Sequence, residues 1–219
     1  YYKNSLLGII LDLGLELWGI GTARTLRVIW MAEELNLTYT LHPIGPRTGE
    51  TKTEKYTNLN PKQKIPLLKQ DNFVLSESIA ICRYLQRITD SGNIFIPQDN
   101  KSMALEDEWC SFIYGELDET SLYVMRRHYD LKEIYGDAPE VVQSCRTYFE
   151  KHLSVIENTL MKQDTLFGYD FGLADILLIT CLDWAEAYEF ILPINVSKYH
   201  KEIKNREAYK KAFKINYRK

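Results

Sequence analysis

The chain has 219 residues, of which 45% are hydrophobic and 26% charged, with a formal net charge of −3. That length suits one large domain or two small ones, and the composition is that of a globular protein. The charge balance leaves no basic footprint for nucleic acid, and no run of ~18 apolar residues is available to span a bilayer.

Residues 1–14 carry a short apolar run broken by Gly8, Asp12 and Gly14. They read as an N-terminal extension without catalytic importance: a leader or cloning remnant, or an arm that packs on a partner. Leu15-Glu16-Leu17-Trp18-Gly19 predicts a short strand, Gly19 and Gly21 bracket a loop, and a helical pattern runs from Thr22 to a stop at Asn36. A second strand spans Thr38–His42 and ends at Pro43. Strand–helix–strand in so few residues implies a parallel pair with a right-handed crossover. Residues 45–60 predict a loop with one short helix, followed by a strand at Ile65–Lys69, an Asp71-Asn72 turn, and a strand at Phe73–Leu75.

The stretch from Asn60 to Ile81 carries the most chemistry. Pro66 lacks an N–H and has a fixed φ, so it belongs at a strand start and not inside a ladder. An Ile65–Pro66 peptide there can be cis, turning the Ile65 backbone toward a ligand. Glu77 and Ser78 then open a helix, whose unpaired N–H groups and dipole favour a bound carboxylate. One segment thus offers a backbone edge for a peptide with an anion seat beside it.

Residues 91–99 have a linker composition, and everything beyond reads as helix. Apolar residues recur at helical spacing from Met103 through Trp109 to Leu117, and again from Val141 to Leu160. Ile176–Leu182 is apolar all round and predicts a central buried helix. The Lys- and Tyr-rich segment from Glu202 predicts a solvated closing helix. The four cysteines, Cys82, Cys110, Cys145 and Cys181, form no CxxC pair and no metal-ligand spacing. All fall in predicted helices and read as reduced and packed, which fits a cytoplasmic protein.

Asn60-Pro61, Lys64-Ile65-Pro66, Leu68 and Glu77-Ser78-Ile79-Ala80-Ile81 with Tyr84-Leu85 resemble the glutathione-binding half of the cytosolic glutathione transferases, of a bacterial-like, serine-type character. Gly168-Tyr169-Asp170-Phe171-Gly172-Leu173-Ala174-Asp175 is similar to the family's second signature, with Gly172 where a Ser or Thr usually caps the buried helix. The resemblance implies an N-terminal thioredoxin-like α/β domain over residues 15–90, a linker at 91–99, and an all-α C-terminal domain over 100–219. It implies glutathione as co-substrate without a metal, a homodimer, and transfer to a small electrophile or a peroxide.

By position in that family, Ile65 and Pro66 would present the backbone edge to the cysteinyl part of glutathione. Glu77 and Ser78 would hold the γ-glutamyl amine and carboxylate, and Lys64 the glycine carboxylate. Trp109, Tyr114, Tyr123 and Arg127 would line the electrophile pocket. The family places Tyr, Ser or Cys in or after the first strand to stabilise the thiolate, and this chain has none of them there. Thr22 is the first candidate and Thr25, one turn on, the second; Arg24 or a backbone N–H are further ones. Two other functions share this sequence pattern: a non-catalytic docking subunit on the same fold, and a glutathione-dependent isomerase or lyase.

Overall fold

The computed structural model describes residues 13–89, 92–168 and 170–218, so the extension ahead of residue 13 lies outside the described residues. The chain divides into two compact units. One comprises the residues up to Asn93 together with those from Lys211 onward, and the other is Ile94–Lys210.

The first unit is a four-stranded sheet in the order β2-β1-β3-β4, formed by β1 (Leu15–Trp18), β2 (Tyr39–His42), β3 (Leu67–Gln70) and β4 (Phe73–Ser76). β1 pairs parallel to β2 and antiparallel to β3, and β3 pairs antiparallel to β4. With α1 (Ala23–Glu34) crossing over between β1 and β2, this is the thioredoxin-like order that the sequence pattern predicts.

Alternation along β1 sends Leu15 and Leu17, each 2% exposed, to one face and Glu16 and Trp18 to the other. Trp18 packs with Tyr56 of α2 (Glu54–Leu59) and with Leu67, and stacks on His42 at 3.8 Å. Glu16 links His42 (2.7 Å) and Lys69 on the same face. The Lys69 hydrogen bond, first among its causes, holds the Glu16 carboxyl below the usual range. α3 (Ser78–Arg87) packs against α1.

Gly19 has no room for a side chain. Its φ is +111°, and a Cβ would meet Ile65 Cβ at 2.6 Å and Thr25 Cγ2 at 2.9 Å. Gly19→Ala is therefore expected to destabilise the first unit by about 1 kcal/mol or more, read as a lower urea midpoint at unchanged m-value. An unchanged midpoint would show that the loop yields freely.

The second unit is helical: α4 (Asn100–Phe112), α5 (Val124–His128), α6 (Lys132–Tyr135), α7 (Pro139–Leu160), α8 (Leu173–Ala187), α9 (Ile194–Ile203) and the start of α10 (Glu207–Asn216). Asp99 caps α4 by accepting from the N–H groups of Lys101 (2.9 Å) and Ser102 (3.1 Å). Between α4 and α5, Ile113–Tyr123 is π-helical over 11 residues, where the sequence predicts plain α-helical spacing. The Ser121 hydroxyl donates to the Glu116 carbonyl at 2.6 Å within it.

α8 is buried all round over Leu173–Leu182, as its apolar run predicts. Its N-cap is Gly172, and the orphan N–H of Gly172 is satisfied by Asp175 at 2.8 Å. All four cysteines are free and buried, and burial pushes the Cys145 thiol up. Among the described residues no helix is long and apolar enough to cross a membrane.

α10 departs from expectation. The sequence predicts a solvated closing helix inside the C-terminal domain, but Tyr209, Ala212 and Asn216 are buried. Their spacing of three and four residues puts them on one helix face. The residues from Lys211 onward belong to the first unit, so the helical domain does not run unbroken from 100 to 219.

Candidate functional site

The loop ahead of β3 is built by two side chains. Tyr56 donates its hydroxyl to the Lys64 carbonyl (2.6 Å), and Asn60 Nδ2 donates to the same oxygen (2.8 Å). Asn60 Oδ1 accepts from the Lys62 N–H (3.1 Å), closing the turn. Burial pushes the Tyr56 phenol up to about 12, so it remains a donor at neutral pH. The Ile65–Pro66 peptide that follows is cis, as the strand start predicts. Among the described residues no hydrogen bond engages the N–H or the carbonyl of Ile65. A half-buried peptide unit beside a sheet is a ready partner for an extended ligand.

The start of α3, the expected anion seat, directly follows β4. The β3–β4 ladder ends with Leu67 opposite Ser76, each two residues from Ile65 and Ser78 along the chain. Glu77 is the N-cap of α3 with φ +75° and ψ +120°, and its side chain makes no cap bond. A non-glycine residue held at such a φ is stored backbone strain of the kind found at ligand sites. The first helical bond is from the Ile81 N–H to the Glu77 carbonyl, which leaves the N–H groups of the first turn for an anion. Ser78 is 4% exposed, and its hydroxyl has no partner among the described residues.

The Glu77 carboxylate is already paired. Lys62 Nζ lies 2.7 Å from it and donates to Ser76 Oγ at 3.0 Å. Both partners are more than half exposed, at 54% and 57%, so the pair is weak and exchanges readily for another ammonium. The Lys64 side chain is exposed and has no partner among the described residues.

The β1–α1 loop is pinned along its length. The N–H groups of Gly19, Ile20 and Gly21 donate to the carbonyls of His42 (2.9 Å), Ile44 (3.0 Å) and Asn216 (2.9 Å). Thr22 is the N-cap of α1, and its hydroxyl oxygen accepts from the Thr25 N–H at 3.0 Å. Thr25 Oγ1 accepts from the Thr22 N–H (3.0 Å), which completes a reciprocal capping box. The two hydroxyls lie 3.0 Å apart. Thr22 is half-buried, whereas Thr25 is 1% exposed and bonds to Asn216 Oδ1 at 2.6 Å. Arg24 is half-buried and already partnered.

The four residues expected at an electrophile pocket all lie in the second unit. Arg127 lies over the rings of Tyr123 (5.7 Å) and Tyr135 (4.8 Å). Trp109 instead packs edge-on against Phe112, which reaches His152. Tyr114 donates to Glu119 at 3.0 Å within the π-helical stretch. Asp183, Glu186 and His200 bring three ligand-type atoms within 4.8 Å of one another. The Lys204 ammonium already sits there, 3.2 Å from Asp183 and 3.1 Å from Glu186, so the cluster is an ion-pair network.

Sequence reasoning named Thr22, Ile65, Pro66, Glu77 and Ser78 but missed Tyr56, Asn60, Lys62 and Asn216. Asn60 was visible as the residue before Pro61. Nothing in the Lys-rich surroundings of Asn216 marks it.

Residues 13–87 match the model of the glutathione S-transferase N-terminal domain, and residues 114–210 that of the glutathione S-transferase C-terminal domain. Glutathione S-transferase hmp2 of Hypomyces subiculosus is 30% identical over 212 residues, covering 90% of this chain and 97% of the relative. Glutathione S-transferase theta-1 of Bos taurus is 29% identical over 173 residues, covering 77% and 72%. The crystal structure of beta-etherase LigF from Sphingobium sp. strain SYK-6 superposes with a TM-score of 0.84 at 19% identity, covering 92% of this chain and 99% of that one.

Proposed function

The chain belongs to the glutathione S-transferase family, and on that premise we propose that it binds glutathione along the Ile65 edge and holds its thiolate with the Thr22 hydroxyl for attack on a small electrophile or a peroxide. The observation that carries this reading is the occurrence, in one short segment, of an Ile65 backbone and, at the start of α3, a Ser78 hydroxyl that no hydrogen bond engages among the described residues. The Ile65 N–H and carbonyl would take the cysteinyl unit of the tripeptide. The γ-glutamyl carboxylate would sit on Ser78 and the first-turn N–H groups, with its ammonium on Glu77 in place of Lys62. The free Lys64 ammonium suits the glycine carboxylate. The protein acts in the cytoplasm as a homodimer in this reading, and no metal takes part.

A free thiol has a pKa near ~8.5, and each unit of depression needs about 1.4 kcal/mol of preference for the thiolate. The Thr22 hydroxyl lies at the N-terminus of α1, where its bond and the helix dipole both favour negative charge. Thr25 is the weaker candidate because its hydroxyl is buried and bonded to Asn216. Attack is direct, with no protein-bound intermediate: the thiolate sulfur bonds to the electrophilic carbon as the leaving group departs with its electron pair, or to a peroxide oxygen as the O–O bond breaks and the other oxygen leaves as alkoxide or hydroxide.

The test is the ultraviolet thiolate band of bound glutathione against pH. Thr22→Val keeps the side-chain shape and is expected to raise the bound thiol pKa by about one unit while leaving glutathione affinity within about twofold. An unchanged titration in Thr22→Val with a shifted one in Thr25→Val would transfer the role to Thr25. No shift in either variant would leave the backbone N–H groups and Arg24.

A further inference from the structure

Asn216 is fully buried near the end of a Lys-rich helix, and among the described residues the polar contacts of its side chain fall on Gly21, Thr22 and Thr25, at the start of α1. Oδ1 accepts from the Gly21 N–H (3.2 Å) and from the Thr25 hydroxyl (2.6 Å), and Nδ2 donates to the Thr22 carbonyl (3.0 Å). Its backbone carbonyl accepts from the Gly21 N–H as well, at 2.9 Å. Chemistry fixes the orientation of the amide: turning it over would set Nδ2 against the Gly21 N–H and Oδ1 against the Thr22 carbonyl.

That orientation decides where the two threonine protons go. Thr25 Oγ1 has one proton and three acceptors in reach, Asn216 Oδ1 at 2.6 Å, the Thr22 carbonyl at 2.9 Å and the Thr22 hydroxyl oxygen at 3.0 Å. The shortest contact takes the proton, and Nδ2 already donates to the Thr22 carbonyl. Thr25 Oγ1 is then an acceptor toward Thr22, for its N–H and for its hydroxyl. The Thr22 oxygen takes the Thr25 N–H, so its own proton remains the mobile one. It rests on Thr25 and can turn to a stronger acceptor by rotation about a single bond.

We propose that Asn216 is a positioning residue, which holds the α1 N-terminus and commits the Thr25 proton so that the Thr22 hydroxyl faces the bound thiolate as a donor. This rests on the reading of Thr22 given above. A purely structural Asn216 would anchor α10 and leave the thiol titration alone.

The experiment is the pH titration of the thiolate band of bound glutathione in wild type, Asn216→Ala, Thr22→Val and the double variant. Asn216→Ala is expected to raise the bound thiol pKa by about one unit, roughly a tenfold fall in the thiolate-to-thiol ratio at a given pH, with glutathione affinity changed less than about twofold. In the Thr22→Val background the same substitution should add little, because both act through one hydroxyl. A shift in Thr22→Val with none in Asn216→Ala overturns the proposal and spares the Thr22 reading. Fully additive shifts also overturn it, and no shift in Thr22→Val refutes the Thr22 reading itself. Should Asn216→Ala fail to fold, the isosteric Asn216→Asp decides. It keeps the acceptor for Thr25 and sets an oxygen against the Thr22 carbonyl, so its shift should shrink in the Thr22→Val background. An equal shift in both backgrounds is the added charge alone and overturns the proposal, as does no shift at all.

Discussion

Asp175→Ala is expected to cost about 3–5 kcal/mol of stability, the range for removing one partner from a buried charged network. The Asp175 carboxylate has no exposure and takes three donors: the Leu166 N–H (3.1 Å), the Gly172 N–H (2.8 Å) and the Tyr199 hydroxyl (2.5 Å). It therefore ties the segment before α8 to the N-cap of α8 and to α9. Burial and the Asp175 charge hold the Tyr199 phenol far above its ordinary range, so Tyr199 stays a donor throughout the accessible pH range. Alanine strands all three donors away from water, at about 1–3 kcal/mol for each group that finds no substitute. Asp175→Asn retains one oxygen but turns an NH₂ toward a donor, and should fall between wild type and alanine. Urea unfolding of the three proteins checks this. A midpoint for alanine matching wild type would mean that water reaches and satisfies the stranded groups.

Ser78→Ala is expected to weaken glutathione binding by about 1.5–3 kcal/mol, the value of a hydrogen bond to a charged group, or roughly ten- to more than a hundredfold in Kd. The Ser78 hydroxyl has no partner among the described residues, so its removal strands nothing in the free protein and the melting temperature should hold. Loss of affinity without loss of stability is the signature of a ligand-directed hydroxyl. Calorimetry with glutathione measures the first and a thermal melt the second. Equal affinity in the variant would remove Ser78 from the carboxylate seat. No binding to the wild type at several millimolar would refute glutathione as ligand and favour a docking subunit on the same fold.

The sheet and its Ile65–Pro66 edge were legible because their signals are local. Pro66 excludes a ladder position, Glu77-Ser78 opens a helix, and the period-two and helical patterns change over at Gly21. The same locality explains a small error: the third strand begins at Leu67 and not Ile65, since Pro66 cannot donate to β1. The π-helical stretch at Ile113–Tyr123 was not legible. Apolar spacing cannot separate an i→i+5 ladder from an α-helix over so few turns. Asn216 was not legible because its partners lie 191 to 195 positions away. A composition of Lys and Tyr describes the solvated side of α10 and hides the stripe of Tyr209, Ala212 and Asn216 beneath it.

The distance in sequence between Gly21 and Asn216 orders the assembly of the site in time. The Ile65 edge and the start of α3 need only residues up to the end of α3, so they can form while the rest of the chain is still being synthesised. The loop bearing Thr22 belongs to the same unit, yet its tether is made almost two hundred residues later. A nascent chain can therefore form the Ile65 edge before Asn216 ties down the segment from Gly21 to Thr25, and that very non-local contact is the one that topology leaves until last. On the reading proposed above, such a chain gains its seat for glutathione before the tether behind its thiolate donor.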